Sequence, residues 1–162
     1  MERLLELFVS LRTKATRESP TCNEMEGIAI HKKIVYLGKS KIMKKYTLVI
    51  GASENVQRYS NMAIRRLLDY NHLVKAIGNK VGEVRGVKIE KGLIPYEDID
   101  TITLYLNPTN QIPYYDYILN LNPKRVIFNP GTENKELQEK LKESGISYEE
   151  ACTLVLLGTN QY

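Results

Sequence analysis

The sequence holds no tryptophan, two phenylalanines, two cysteines and two histidines in 162 residues. Each scarcity removes a class of chemistry. Cys22 and Cys152 stand far apart and match neither a CxxC pair nor a disulfide framework, and His31 and His72 have no ligand-spaced neighbours, so no metal site is expected. No run reaches the roughly 20 uninterrupted apolar residues of a membrane-spanning helix, and the early apolar stretch at residues 4–11 is broken by Glu6. That stretch is also too short and acidic for a secretory h-region, with no small-residue cleavage pattern before Cys22, so the expectation is a cytoplasmic protein that neither spans nor enters a membrane. There is no G-x-S-x-G elbow, no HExxH pair and no cysteine with an evident histidine partner, so no catalytic residue is expected. Glu149 and Glu150 precede Cys152 and disfavour a thiolate there, so this cysteine reads as buried and structural.

One sign of charge is barely in excess. The net charge is +4, and residues 1–42 carry eight Lys/Arg against five acids, leaving fifteen against fourteen for residues 43–162. A nucleic-acid binder concentrates its basic excess on the folded unit, so nucleic acid is not an expected partner.

What is present begins at Met43. Residues 1–42 join an acidic-apolar stretch, a polar stretch containing Ser19-Pro20 and a short basic strand-like piece at 28–37 without a shared pattern. They are expected to be an N-terminal extension, disordered or preceding the true start. From Met43 onward, Met-Lys-Lys-Tyr-Thr-Leu-Val-Ile-Gly leads from basic residues straight into a buried strand. The domain is therefore expected to span residues 43–162.

Within it, strands and amphipathic helices alternate. Strands are expected at residues 46–50, 73–77, 102–106, 125–128 and 146–148, with a further short one at Val87-Lys88 inside a glycine-containing loop. A helix over 60–70 places Ala63, Ile64, Leu67 and Leu68 on one face, with Ser60 as its cap and Asn71 closing it in the left-handed region. A second over 111–121 turns Ile112, Tyr115, Ile118 and Leu119 inward and tolerates Pro113 in its first turn. A third begins with Thr132 as N-cap, buries Leu137 and Leu141 and ends at Gly145. Tyr114, Tyr115 and Tyr117 read as packing residues rather than a base-stacking platform. This alternation calls for right-handed crossovers: an α/β, Rossmann-like three-layer domain with a parallel sheet and helices on both faces.

Open parallel sheets bind ligands at the carboxyl ends of their strands. Four turns lie there: Gly51-Ala52-Ser53 through Arg58 and Ser60, then Gly78-Asn79-Lys80, Leu106-Asn107-Pro108 and Asn129-Pro130-Gly131. Gly51 permits a tight turn, Ser53 offers a hydroxyl, and the helix that follows offers N–H groups to a phosphate. The dinucleotide fingerprint G-x-G-x-x-G is not met, and where an acid would take a ribose hydroxyl of NAD the chain has Asn79 and Lys80. A cation there suits a phosphorylated ribose, as in coenzyme A or NADP.

The combination Leu48-Val-Ile-Gly-Ala-Ser-x4-Arg-Tyr-Ser-Asn, Leu106-Asn-Pro and Phe128-Asn-Pro-Gly resembles the small stand-alone CoA-binding proteins, relatives of the CoA-binding domain of the succinyl-CoA synthetase alpha subunit. The resemblance covers residues 44 to about 152. It implies coenzyme A or an acyl-CoA as ligand: Gly51, Ala52, Ser53 and Arg58 along its phosphates, Lys80 at the phosphorylated adenosine, Leu106, Asn107 and Pro108 at its border, and Asn129, Pro130 and Gly131 closing the cleft. The sequence departs from that family at Gly78-Asn79-Lys80, where Asn-Pro-Lys is usual. The synthetase's phosphorylated histidine has no equivalent, since His72 falls away from the strand ends. A protein partner or homo-oligomer is compatible with this reading. The alternatives are an NADP-dependent oxidoreductase, with Lys80 and Arg58 on the 2′-phosphate, and an interaction module with a vestigial nucleotide cleft.

Overall fold

Leu48, Val49 and Ile50 alternate between two faces of one strand, yet all three are fully buried. A strand of this kind must be covered on both sides. The computed structural model describes residues 46–162; the expectations for residues 1–42 lie outside them. Its seven-stranded sheet has the order β3-β4-β2-β1-β5-β6-β7, with β1 Tyr46–Ala52, β2 Leu73–Gly78, β3 Gly82–Val84, β4 Val87–Glu90, β5 Ile99–Leu104, β6 Arg125–Phe128 and β7 Ser147–Glu150. Every pairing is parallel except β3 with β4. The Rossmann-like α/β architecture is as expected.

The pleat sorts the core into two layers. Leu48, Ile50, Ile102, Leu104, Val126 and Phe128 face one side, where α3 (Tyr115–Leu121) and α4 (Lys135–Glu143) bury Ile118, Leu137 and Leu141 against them. Val49, Ala76 and Ile89 face the other, against Ile64 and Leu67 of α1 (Tyr59–Asp69) and Leu157 of α5 (Thr153–Gly158). Ala52 joins the second layer although its parity matches Leu48 and Ile50. The register of β1 shifts between Ile50 and Ala52, where Gly51 takes φ +93°, and that irregularity swaps the faces.

Several local expectations need correction. Helix α1 starts one residue earlier than expected, with Arg58 at its N-cap and no side-chain cap bond; Ser60 is buried inside the first turn and caps nothing. Asn71 does take the left-handed conformation, at φ +61°. The expected helix over 111–121 is broken: α2 Pro108–Gln111 is capped by the Asn107 side chain, a 3-10 turn covers Ile112–Tyr114, and α3 follows. Because the helix begins at Pro108, Pro113 falls beyond the first turn, where its missing N–H breaks the ladder. Ile112 consequently points outward and is exposed, whereas Tyr115, Tyr117 and Ile118 are buried. The cap of α4 is Asn134, which accepts from the Leu137 N–H at 3.3 Å. Thr132 cannot serve, since its hydroxyl donates to the Asn129 carbonyl at 2.8 Å.

Strand β5 runs over Ile99–Leu104 rather than 102–106, and β7 over Ser147–Glu150 rather than 146–148. The stretch expected as a loop with a short strand is a hairpin: β3 and β4 flank Arg85 and Gly86, whose φ values of +49° and +84° are those a two-residue type I′ turn requires. Helix α5 has no counterpart among the expected elements.

Candidate functional site

The chain runs outward from β1 to β2, then returns to place β5 on β1's other side. The loops after β1 and β5 therefore diverge at the carboxyl ends of those strands and leave a crevice between them. A cleft of about 990 Å³ lies there. The turns after β1, β2, β5, β6 and β7 all contribute to its wall.

The first loop is built on a close approach. A Cβ added to Gly51 would stand 2.9 Å from the Tyr105 carbonyl carbon and 3.0 Å from Leu106 Cδ2, and at φ +93° a side chain would be strained even without those neighbours. Beyond it, Ser53 Oγ accepts from the Asn55 N–H at 3.2 Å and Asn55 Oδ1 from the Gln57 N–H at 3.0 Å. The buried Asn61 holds this loop from below, donating to the carbonyls of Ser53 and Glu54 at 3.0 Å each. The loop's backbone carbonyls are thereby turned inward, while the uncapped start of α1 faces the cleft beside Ser53, Arg58 and Ser60. The first N–H groups of a helix have no intrahelical acceptor, and its dipole favours an anion.

Asn79 and Lys80 line the cleft on the next turn. Among the described residues neither Arg58 nor Lys80 takes part in an ion pair. The one acid on the first loop, Glu54, has its carboxylate engaged with the Glu83 N–H at 3.0 Å. Glu54 is exposed, lines the cleft and among the described residues is in no ion pair either, so Arg58 and Lys80 outweigh a single carboxylate at this end and leave it net positive.

The opposite wall is fixed by amides. Asn129 donates to Thr103 Oγ1 at 2.7 Å and to the Leu104 carbonyl at 3.0 Å, and accepts from the Thr153 N–H at 2.9 Å. The fully buried Gln111 donates to the carbonyls of Leu106 and Thr132 at 2.8 and 2.7 Å, and Asn134 donates to it in turn. Asn107 spends its side-chain oxygen on the Asn110 N–H at 2.9 Å. Asn107 and Asn129, expected beside a ligand, thus also brace the loops that form the wall.

Of the expected site residues, Gly51, Ala52, Ser53, Arg58, Ser60, Asn79, Lys80, Leu106, Asn107, Asn129, Pro130 and Gly131 line the cleft. Pro108 does not; it sits in the first turn of α2. Glu54, Asn55, Tyr59, Tyr105, Asn110 and Thr132 also line it, as do Cys152 and Leu154 after β7. Cys152 is half-buried, which corrects the expectation of a buried structural thiol. No glycine or proline marks the exit of β7, so punctuation alone misses it, although every parallel strand in such a sheet ends on the same edge. The Tyr105 hydroxyl is buried without a hydrogen-bond partner. Burial foremost pushes its pKa up to about 12. His72 precedes β2 at the other end of the strands, edge-on to the Tyr162 ring at 4.7 Å, and its pKa is lowered by burial and by Arg125.

Among the described residues no three His, Cys, Asp or Glu side chains are placed to hold a metal ion, and no helix is long and apolar enough to cross a membrane.

Comparison with known proteins bears on this cleft. The chain is 48% identical to a crystal structure described as an uncharacterized protein, with a TM-score of 0.71 over 73% of this chain and 98% of that one. A Thermus thermophilus protein shares the fold at 19% identity and a TM-score of 0.66, covering 82% of this chain and 98% of that one. The fold recurs in the acetyl-coenzyme A synthetase 1 of Ca. Korarchaeum cryptofilum, at 20% identity and a TM-score of 0.54, over 65% of this chain and 25% of that one. Curated proteins provide no match. Residues 45–158 match the CoA binding domain family, which extends the expected resemblance through α5, and the chain belongs to that family.

Proposed function

We propose that the protein binds coenzyme A or an acyl-CoA across the carboxyl ends of β1, β2, β5 and β6, and that the residues lining the cleft serve binding rather than a bond-making step. The observation that carries this reading is the pair of unpaired cations, Arg58 and Lys80, on adjacent turns of a cleft that also holds the uncapped start of α1. Coenzyme A presents a pyrophosphate and a separate 3′-phosphate. The helix start with Ser53 and Arg58 suits the first, since N–H donors and a positive dipole end favour an anion. Lys80 suits the second as a compact point charge. The remaining length of the cleft, past Tyr105 and Leu106 toward Cys152 and Leu154, suits the less polar pantetheine arm and any acyl group.

The test is a thermal-shift series with CoA, acetyl-CoA, NAD, NADP and ATP, because a ligand at 100 times its Kd adds about 2.7 kcal/mol to apparent stability. CoA or acetyl-CoA is expected to raise the melting temperature most. A charge-assisted contact to phosphate is worth about 1.5–3 kcal/mol, so Lys80→Ala is expected to weaken CoA roughly tenfold or more and leave dephospho-CoA, which lacks the 3′-phosphate, nearly unchanged. Ser53→Ala is expected to weaken both alike. Stabilisation by NADP with none by CoA overturns the reading.

A further inference from the structure

Glu54 is an acid on a loop read as facing phosphate, so the destination of its carboxylate matters. Oε1 accepts from the Glu83 N–H at 3.0 Å, on the outermost strand of the sheet. The side chain lies over Gly82: a methyl group built there would overlap the Glu54 carboxylate carbon and Cγ and stand 2.6 Å from Oε2. Space for this arrangement exists because residue 82 has no side chain. At the other end of the same turn, a methyl on Gly78 would stand 2.5 Å from the Ala52 carbonyl oxygen, so the backbones of β1 and β2 are in close contact there. The exposed residues between, Asn79, Lys80 and Val81, are thus tied to the end of β1 and its loop at both ends, by backbone packing on one side and by the Glu54 side chain on the other.

We propose that Glu54 is a positioning residue: its carboxylate clasps β3 to the loop after β1, limits where the backbone of the turn carrying Lys80 sits relative to that loop, and so favours CoA over dephospho-CoA. This rests on the reading of Lys80 as the partner of the 3′-phosphate. A turn tethered at one end only carries its lysine through more conformations, and ordering them on binding costs affinity. The clasp has a second consequence. It supplies an acceptor to an edge-strand N–H that would otherwise be open to another chain.

The test combines calorimetric titration of the full chain with CoA and dephospho-CoA and native-state hydrogen exchange at the Glu83 amide. Glu54→Ala and Gly82→Ala are each expected to weaken CoA roughly three- to tenfold, the scale of one ordinary hydrogen bond, as fits a solvent-exposed contact, and dephospho-CoA by less than about twofold. Gly82 does not line the cleft, and its added methyl meets the movable end of a side chain, so its effect reaches the ligand by evicting Glu54. The combined variant is expected to bind no more weakly than Glu54→Ala alone, because the two changes act through one contact. Glu54→Gln keeps an acceptor oxygen and is expected to retain CoA affinity and a protected Glu83 amide, whereas both single variants above exchange that amide faster.

Unchanged Glu83 exchange in Glu54→Ala overturns the clasp whatever the ligand. Faster exchange with undiminished discrimination between CoA and dephospho-CoA overturns the positioning role alone. Absence of CoA binding by the unaltered protein overturns the ligand reading and the positioning role together, and leaves the exchange measurement to decide the clasp.

Discussion

Asn129 shows how a residue beside a ligand cleft can be committed before any ligand arrives. It is 4% exposed, and its amide reaches Thr103 on β5, the Leu104 carbonyl and the Thr153 N–H at the start of α5. An aspartate there would set a carboxylate oxygen against the Leu104 carbonyl, and an alanine would strand both the Leu104 carbonyl and the Thr153 N–H. A buried group left without its partner costs about 1–3 kcal/mol, so Asn129→Ala is expected to lower unfolding stability by about 3 kcal/mol, read from the denaturant midpoint at unchanged m-value. A loss below about 1 kcal/mol would show that water replaces these bonds. Sequence reasoning found this residue through the Asn-Pro-Gly turn but assigned it outward, because the partners lie 24 to 26 positions away in the chain.

Among the elements, β1 carries the largest demand on a single position. At Gly51 the strand swaps faces, so that Ala52 joins the opposite core layer and Ser53 opens the loop into the cleft. Gly51→Ala sets a side chain at φ +93° and 2.9 Å from the Tyr105 backbone. Backbone strain of this kind costs about 1–3 kcal/mol before any clash. The expected outcome is a loss of about 2 kcal/mol or more in denaturant unfolding, together with loss of the CoA-dependent rise in melting temperature, since the loop moves with the strand. The segment after β5 teaches the converse. Its apolar spacing over 111–121 reads as one helix, but Asn107 and Pro108 start the helix early and Pro113 then interrupts it, and backbone chemistry outranks periodicity where they disagree.

For the whole molecule, two measurements follow. Every described strand and helix lies between Tyr46 and Gly158, so a chain starting at Met43 is expected to be soluble and to melt cooperatively; aggregation or a non-cooperative melt would place residues 1–42 in the folding unit. The second concerns alkaline pH. Burial foremost pushes Tyr105, Tyr117 and Tyr162 up to about 12, and Tyr96 higher still, with Glu90 adding to its shift. Their folded values exceed the unfolded value of about 10, so the folded state holds protons the unfolded state releases. The associated stability is full below about pH 10 and is lost as pH rises toward about 12. The denaturant midpoint is expected to fall across that window, with tyrosinate absorbance from these residues emerging together with unfolding.

The amino-acid sequence by itself determined the alternation of strands and helices, the parallel Rossmann-like sheet, the family, and the turns that form the cleft. Each is written in local signals: the apolar run at 47–50, the Gly-Ala-Ser and Asn-Pro-Gly turns, the period of α1 and α4. Only the tertiary structure decided that Glu54 reaches Glu83, that Asn129 braces β5 and α5, and that Cys152 and Leu154 line the cleft. Those facts depend on strand order, because β1 has β2 and β5 as its neighbours and the loops that meet over it are far apart in the chain. A hydrogen bond spanning 29 residues leaves no periodic trace in the sequence, whereas burial of a strand or a helix face does.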